Sequence, residues 1–479
     1  MSNVKKNYLF TASYQLFALL VPIIVAPYIA RVLGASGTGV YSYTYSMVRY
    51  FWLASALGTA TLGVRSIGMY QNDLKKKSEC FWNIVLLKAI LSVIFGMLYF
   101  LYVVLVSDNK VIAIIQGINL VAVLFDITWL YQGMERFDKV ALKNFIIKVL
   151  SIIYIFTIIK TSNDLWKYTL GVAFFQLVGN FILWFNIGNY VEKVKVSSLR
   201  PFKQFKNALL LFIPSVAAQI FSVFDKSMIG WITNNSLENG YYEQAIKIVD
   251  MSLMIITAFA AVMIPKMARE YRNNDKEKIN ESLDKSFRFV IALAVPMFFG
   301  ILSISKSFVP LFFGEEYVKA VIILNILSLL FFFMGINSVS GTQYLISTNQ
   351  QNTHTKFLII GGLLNIILNV ILISRYNAVG AAIGSVAGEV LITVLELSFL
   401  YRSGQYNFMR NAKTVWKYLL SGLIMYVALY CFSSYMTSLI YIFLFIIMGA
   451  IIYVLLLLLF REELITNEMK AIINKFKKR

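Results

Sequence analysis

Long, continuously apolar stretches alternate with short polar ones along the whole chain, and none of them shows the two-residue alternation of a membrane β-strand. A bilayer-spanning helix needs about 20 mostly apolar residues. By that rule helices are expected near 9–33, 39–66, 82–106, 111–131, 143–160 and 167–190, and again near 207–233, 240–265, 286–305, 320–346, 356–374, 378–401, 415–433 and 437–460. The first run follows Lys5-Lys6 as a signal peptide's core would, but it is too long for one and reads as a retained first helix.

Charge tests the count independently. With the N-terminus in the cytoplasm, Lys75, Lys76, Lys77, Arg136, Lys139, Lys193, Arg269, Arg272, Lys276, Arg402 and the basic tail all fall on the inner side. The outer side keeps a few scattered cations such as Lys110 and Arg375. A missed helix would invert every loop after it, yet the bias toward cytoplasmic Lys and Arg persists to the last loop. The expected fold is therefore an all-α polytopic membrane protein of about fourteen transmembrane helices, with both termini cytoplasmic.

The best internal boundary is the polar linker 191–206. It gives an N-terminal lobe over 1–190 (six helices), a C-terminal lobe over 207–404 (six more), and a segment 405–479 holding two further helices and a basic tail. A weak repeat relates the lobes. Pro22 and Pro27 precede Gly39-Val-Tyr41 in the first, and Pro214 precedes Gly240-Tyr-Tyr242 in the second. Transporters are often built from such repeats.

Composition agrees with a lipid solvent. The 479 residues are 59% hydrophobic and only 14% charged, against about 25% charged in soluble domains, and mean hydropathy is +0.70. The net charge of +20 sits in short loops rather than in a basic stripe with interleaved aromatics, so it marks topology and lipid headgroups rather than nucleic acid. Cys80, expected in a cytoplasmic loop, and Cys431, near the outer end of a helix, cannot pair. The single histidine, His354, is expected as a solvated loop residue without co-ligands, so no metal site or cofactor is expected. No phosphate-binding loop is present in the sequence, which argues against ATP-driven transport within this chain.

Eleven ionisable residues nevertheless fall within the apolar runs: Arg49, Lys88, Asp126, Lys148, Asp225, Lys226, Glu243, Lys247, Asp250, Glu389 and Glu396. Exposed to lipid they would cost about 30 kcal/mol together, more than the roughly 5–15 kcal/mol that holds a protein folded. They must pair or line a wet cavity. Glu243, Lys247 and Asp250 share one helix face at i, i+4, i+7, and Glu389, Thr393 and Glu396 repeat that spacing. Asp126 lies at a depth where it can neutralise Lys88 or Lys148. Counting Arg31 and Arg65, the first lobe is cationic and the second acidic, so an anionic headgroup suits the first and a coupling cation the second.

Several stretches resemble, in order, the Wzx-type polysaccharide flippases of the multidrug/oligosaccharidyl-lipid/polysaccharide (MOP) exporter superfamily. They are Pro27-Tyr-Ile-Ala-Arg31-Val-Leu-Gly34 with Gly39-Val-Tyr41, Trp129-Leu-Tyr-Gln-Gly133-Met-Glu135-Arg-Phe137, and Asp225-Lys-Ser-Met-Ile-Gly230. Asn365-Ile-Ile-Leu-Asn369 and Gly380-Ala-Ala-Ile-Gly384 complete the set. The resemblance implies a secondary transporter, not an enzyme, in the plasma (inner) membrane of a bacterium. Its substrate would be a polyprenyl-diphosphate-linked oligosaccharide, with a glycan polymerase and other assembly proteins as partners. Arg31, Arg49, Lys226, Lys247 and Lys88 are then the candidate substrate-binding residues, since a diphosphate suits a guanidinium fork. Asp225, Asp250, Glu389 and Glu396 are the candidates for coupling to H+ or Na+. The acidic second lobe departs from the cationic lumen described for the family. A drug or organic-cation antiporter of the same superfamily is the alternative, ahead of a membrane glycan polymerase or ligase, for which the outer loops are too short.

Overall fold

The computed structural model describes residues 3–406 and 412–466. The chain divides into two compact units, Met1–Gly240 and Tyr241–Arg479. The first unit begins with α1 (Asn3–Ala56), α2 (Thr59–Met69), α3 (Leu74–Leu105), α4 (Lys110–Gln116), α5 (Ile118–Leu124) and α6 (Thr128–Gly133). It continues through α7 (Phe137–Ile158), α8 (Leu165–Ile182), α9 (Phe205–Thr233) and the first turn of α10 (Ser236–Arg272). The second unit takes the rest of α10, then α11 (Lys276–Phe313), α12 (Ala320–Leu327), α13 (Leu330–Asn337) and a π-helical segment, Ser338–Ile346. α14 (Gln351–Tyr376), α15 (Ala378–Arg402), α16 (Ala412–Cys431) and α17 (Leu439–Leu459) complete it.

Twelve helical runs among the described residues are long and apolar enough to cross a membrane. One of them, Leu20–Met69, spans 50 residues, because what sequence reads as two helices parted near Gly34 is here one path bent at that glycine (φ 68°). A left-handed backbone at this bend suits a residue without Cβ. Helices also start earlier than expected. α3 opens at Leu74 behind Asp73, which accepts a hydrogen bond from the Lys76 backbone N–H at 3.0 Å; that bond holds the Asp73 carboxyl below its ordinary range. Cys80 is therefore buried on α3 rather than placed in a loop. The basic tail beyond residue 466 lies outside the described residues, as does the side chain of Pro214.

The two glycine-led turns singled out in the sequence meet within the first unit. A Cβ on Gly39 would lie 1.7 Å from the Ser236 carbonyl oxygen, and one on Gly240 would lie 2.0 Å from that of Ala35. The hydroxyls of Ser36 and Ser236 sit 2.9 Å apart beside this contact. Backbone rests on backbone here, and any side chain would force the two turns apart. Cysteines at Ser36 and Ser236 should therefore form a disulfide under mild oxidation, read by mass spectrometry of the purified protein. Adding Gly39→Val should abolish most of it, and undiminished cross-linking in that background would refute the close contact.

Candidate functional site

Two clusters of the expected charged residues emerge, one in each unit. In the first unit, Tyr41, Tyr45, Val48, Arg49 and Trp52 fall on one face of α1, recurring at helical spacing. With Asn119 of α5 and Val172 and Gln176 of α8 they line a cavity of about 150 Å³. The Arg49 guanidinium lies over the Trp52 ring, 3.7 Å from its centroid, a cation–π contact that helps to steady the charge. Tyr41 and Tyr45 stack with their rings 8° from parallel. Asn119 donates its amide to Gln116 at 2.8 Å, so its carbonyl oxygen is the atom left to the cavity. A cation, aromatic faces and amides in one partly apolar pocket can hold an anionic group and a sugar ring together.

The other cationic residues of this unit are placed differently. Arg31 is exposed on α1. Lys226 is half-buried on α9 beside the buried Asp225, one residue before Ser227, whose hydroxyl meets Tyr50 at 2.5 Å. Lys88 is only 2% exposed, and its ammonium donates to the backbone carbonyl of Asp126 at 2.6 Å.

The reason lies in a break that the apolar run 111–131 conceals. The chain leaves helical geometry between α5 and α6, freeing carbonyls that lipid cannot satisfy. Asn180 donates to the Ala122 carbonyl at 2.8 Å, Trp184 to that of Phe125 at 2.8 Å, and Lys88 and Trp129 both reach that of Asp126. A lysine at a helix C-terminus also complements the helix dipole. Trp129, the leading residue of the resemblance motif, is buried against Phe81 and Gly63 and does packing work. Lys148 is half-buried on α7.

In the second unit Lys247 pairs with Glu243 at 3.1 Å, one turn along α10, while Asp250 is exposed. Glu389, Thr393 and Glu396 share the face of α15 that their spacing implied, all of it buried. Asn337 donates to Glu389 Oε2 at 2.6 Å, and Thr393 donates to Asn337 Oδ1 at 2.7 Å. Ser340 donates to Glu396, whose other oxygen lies 2.7 Å from His354 Nδ1. The expectation for His354 is thus corrected. α14 begins at Gln351, so the histidine sits in its first turn and turns inward onto Glu396 instead of standing in a solvated loop. Among the described residues no group of three His, Cys, Asp or Glu side chains could hold a metal ion.

Sequence reasoning missed Trp52, Asn119, Asn337 and Ser340. Trp52 stands at i+3 from Arg49, a spacing that could have been read, and Asn337 and Ser340 interrupt an otherwise apolar run.

Residues 4–271 match the protein family described as "Polysaccharide biosynthesis protein". A protein of Escherichia coli (strain K12) whose name assigns it O-antigen transport is 24% identical over 404 residues, covering 83% of this chain and 97% of that one. A protein of Haloferax volcanii named a probable low-salt glycan biosynthesis flippase is 28% identical over 294 residues, covering 59% of this chain and 61% of that one. Among solved structures, the inward closed conformation of a lipid II flippase superposes with a TM-score of 0.76 at 15% identity, covering 96% of this chain and all of that one, a likeness of fold. The chain is a multi-pass membrane transporter, not an enzyme, and belongs to the polysaccharide biosynthesis protein family.

Proposed function

We propose that the protein moves a polyprenyl-diphosphate-linked oligosaccharide, the repeat unit of a capsule, exopolysaccharide or O-antigen, from the inner to the outer leaflet by ion-coupled alternating access. The chain would cross the membrane fourteen times with both termini cytoplasmic. The observation that carries this reading is Arg49, laid over Trp52 in a cavity that also presents Tyr41, Tyr45, Asn119 and Gln176. A guanidinium offers a two-donor fork to the diphosphate, and aromatic and amide groups suit the first sugar. The relatives named for O-antigen transport and glycan flipping point to the same class of cargo. The tail needs no site, because it stays in lipid.

Deleting the gene should make a lipid-linked oligosaccharide accumulate in the inner leaflet and remove one surface glycan. An intact glycan with raised sensitivity to a cationic drug would establish the antiporter alternative, which the buried carboxylates of α15 favour.

Single cysteines at Asn235 and Ser434 should be labelled from outside, and at Lys76 and Lys276 only after permeabilisation. Labelling of Lys276 from outside would overturn the fourteen-crossing topology.

Half-buried Arg49 and buried Lys88 should separate cleanly. Arg49→Lys should lose much of the transport and Arg49→Ala nearly all of it, with normal amounts of protein in the membrane. Lys88→Met should instead strip the Asp126 carbonyl of its charged donor, leaving only the longer bond from Trp129, at a cost of about 1–3 kcal/mol, and lower abundance and transport together. Full transport by Arg49→Ala would end the binding assignment, and normal abundance of Lys88→Met would end the capping one.

A further inference from the structure

The second unit buries more negative charge than it balances. Glu389 is 8% exposed and Glu396 fully buried, 7 residues apart on α15 and so about 10 Å apart along the helix axis. Among the described residues only one basic side chain reaches the pair, His354 on Glu396. Glu389 has the Asn337 amide and, among the described residues, no ion pair. On α10, which meets α15 through Tyr242 and Ser385 and α13 at Gly335, Lys247 pairs with Glu243 and Lys266 with Glu270, while Asp250, Arg269 and Arg272 are exposed. α12, α13 and the π-helical segment carry no charged residue. On α14 and α15 the remaining charges, Lys356, Arg375 and Arg402, are exposed. On α11, which reaches the π-helical segment through Ser286 and Gln343, Lys285 pairs with Glu281, Arg288 with Glu463, and Asp284 accepts from Tyr406. Even with an imidazolium at His354, one negative charge stays uncompensated in an apolar surrounding, at a cost of several kcal/mol if left so.

The backbone is built around this spot. Ser338–Ile346 is π-helical, a rare geometry that recurs at functional sites. It sets Ser340 on Glu396, and its Gly341 leaves room for the imidazole: a Cβ there would come within 2.3 Å of His354 Cε1. Gln343 on the same segment is fully buried, and its carbonyl oxygen has no partner. His354, with a side chain 12% exposed, lies at the end of α14 that the expected topology places in the cytoplasm.

We infer that Glu389, Glu396 and His354 form a proton-binding site, in which one proton, taken up through His354, neutralises the excess carboxylate. This rests on the transporter reading and names the ion and the residues of its coupling. The proton adds to a carboxylate oxygen, with no other bond made or broken. The stored form is a carboxylic acid at Glu389, whose Oε2 accepts from Asn337, beside a Glu396–His354 ion pair. In the emptied form Glu389 has passed its proton to water by way of the imidazole, so Glu389 is a carboxylate, while the Glu396–His354 pair and the Ser340 hydrogen bond are kept.

The test uses the purified full chain in lipid nanodiscs without substrate, followed by infrared spectroscopy across about pH 5 to 8, the range in which histidine titrates. A buried carboxylic-acid band that titrates in this range is expected, with Glu389→Gln removing it and His354→Gln shifting its midpoint by about a pH unit or more. Absence of the band in the unmodified protein, or its survival in Glu389→Gln, would overturn the proposal. So would its loss on adding Na+ at constant pH, which would assign the site to sodium. Because no glycan is involved, a negative result here leaves the flippase reading standing, and accumulation of the lipid-linked precursor tests that reading separately.

Discussion

In hydrocarbon, a backbone carbonyl or amide that finds no partner inside the protein finds none at all. Much of the described structure follows from that constraint. It makes the chain helical, and it decides what happens where helices stop. Between α5 and α6 the chain stops being helical in the middle of an apolar run, and four side chains, from α3, α6, α8 and the turn after α8, are recruited to the freed carbonyls. Lys88, Asn180, Trp184 and Trp129 are thereby explained together, although they lie far apart in the sequence.

The same reasoning applies to charge, with more freedom in the solution. Arg49 is steadied by an aromatic face, Lys88 by a carbonyl, Lys247 by a carboxylate one turn away, and Glu396 by an imidazole.

What the sequence allowed one to read followed from local periodicity. Most of the expected apolar runs, the Glu243–Lys247 pair and the common face of Glu389, Thr393 and Glu396 depend on spacing within a single helix, and these are found among the described residues. The readings that failed depended on where a helix begins or breaks. Cys80 and His354 were expected in loops because hydropathy locates the apolar centre of a helix and not its polar first turn, and α3 and α14 each begin several residues before their apolar stretch. The bond from Lys88 to the Asp126 carbonyl was not legible either, because nothing in 111–131 announces a break; the interruption shows only once its donors are seen to come from elsewhere in the chain.

Broken helices in membranes are usually where one looks for a hinge. Here the break is the opposite. Its carbonyls are held by side chains from α3, α6, α8 and the turn after α8, at distances of 2.6 to 3.2 Å, so α5 cannot swivel there without abandoning those bonds. α3, α5, α6 and α8 are tied together there, so a rearrangement of the first unit has to carry the Asn119 and Gln176 walls of the Arg49 cavity as a single piece.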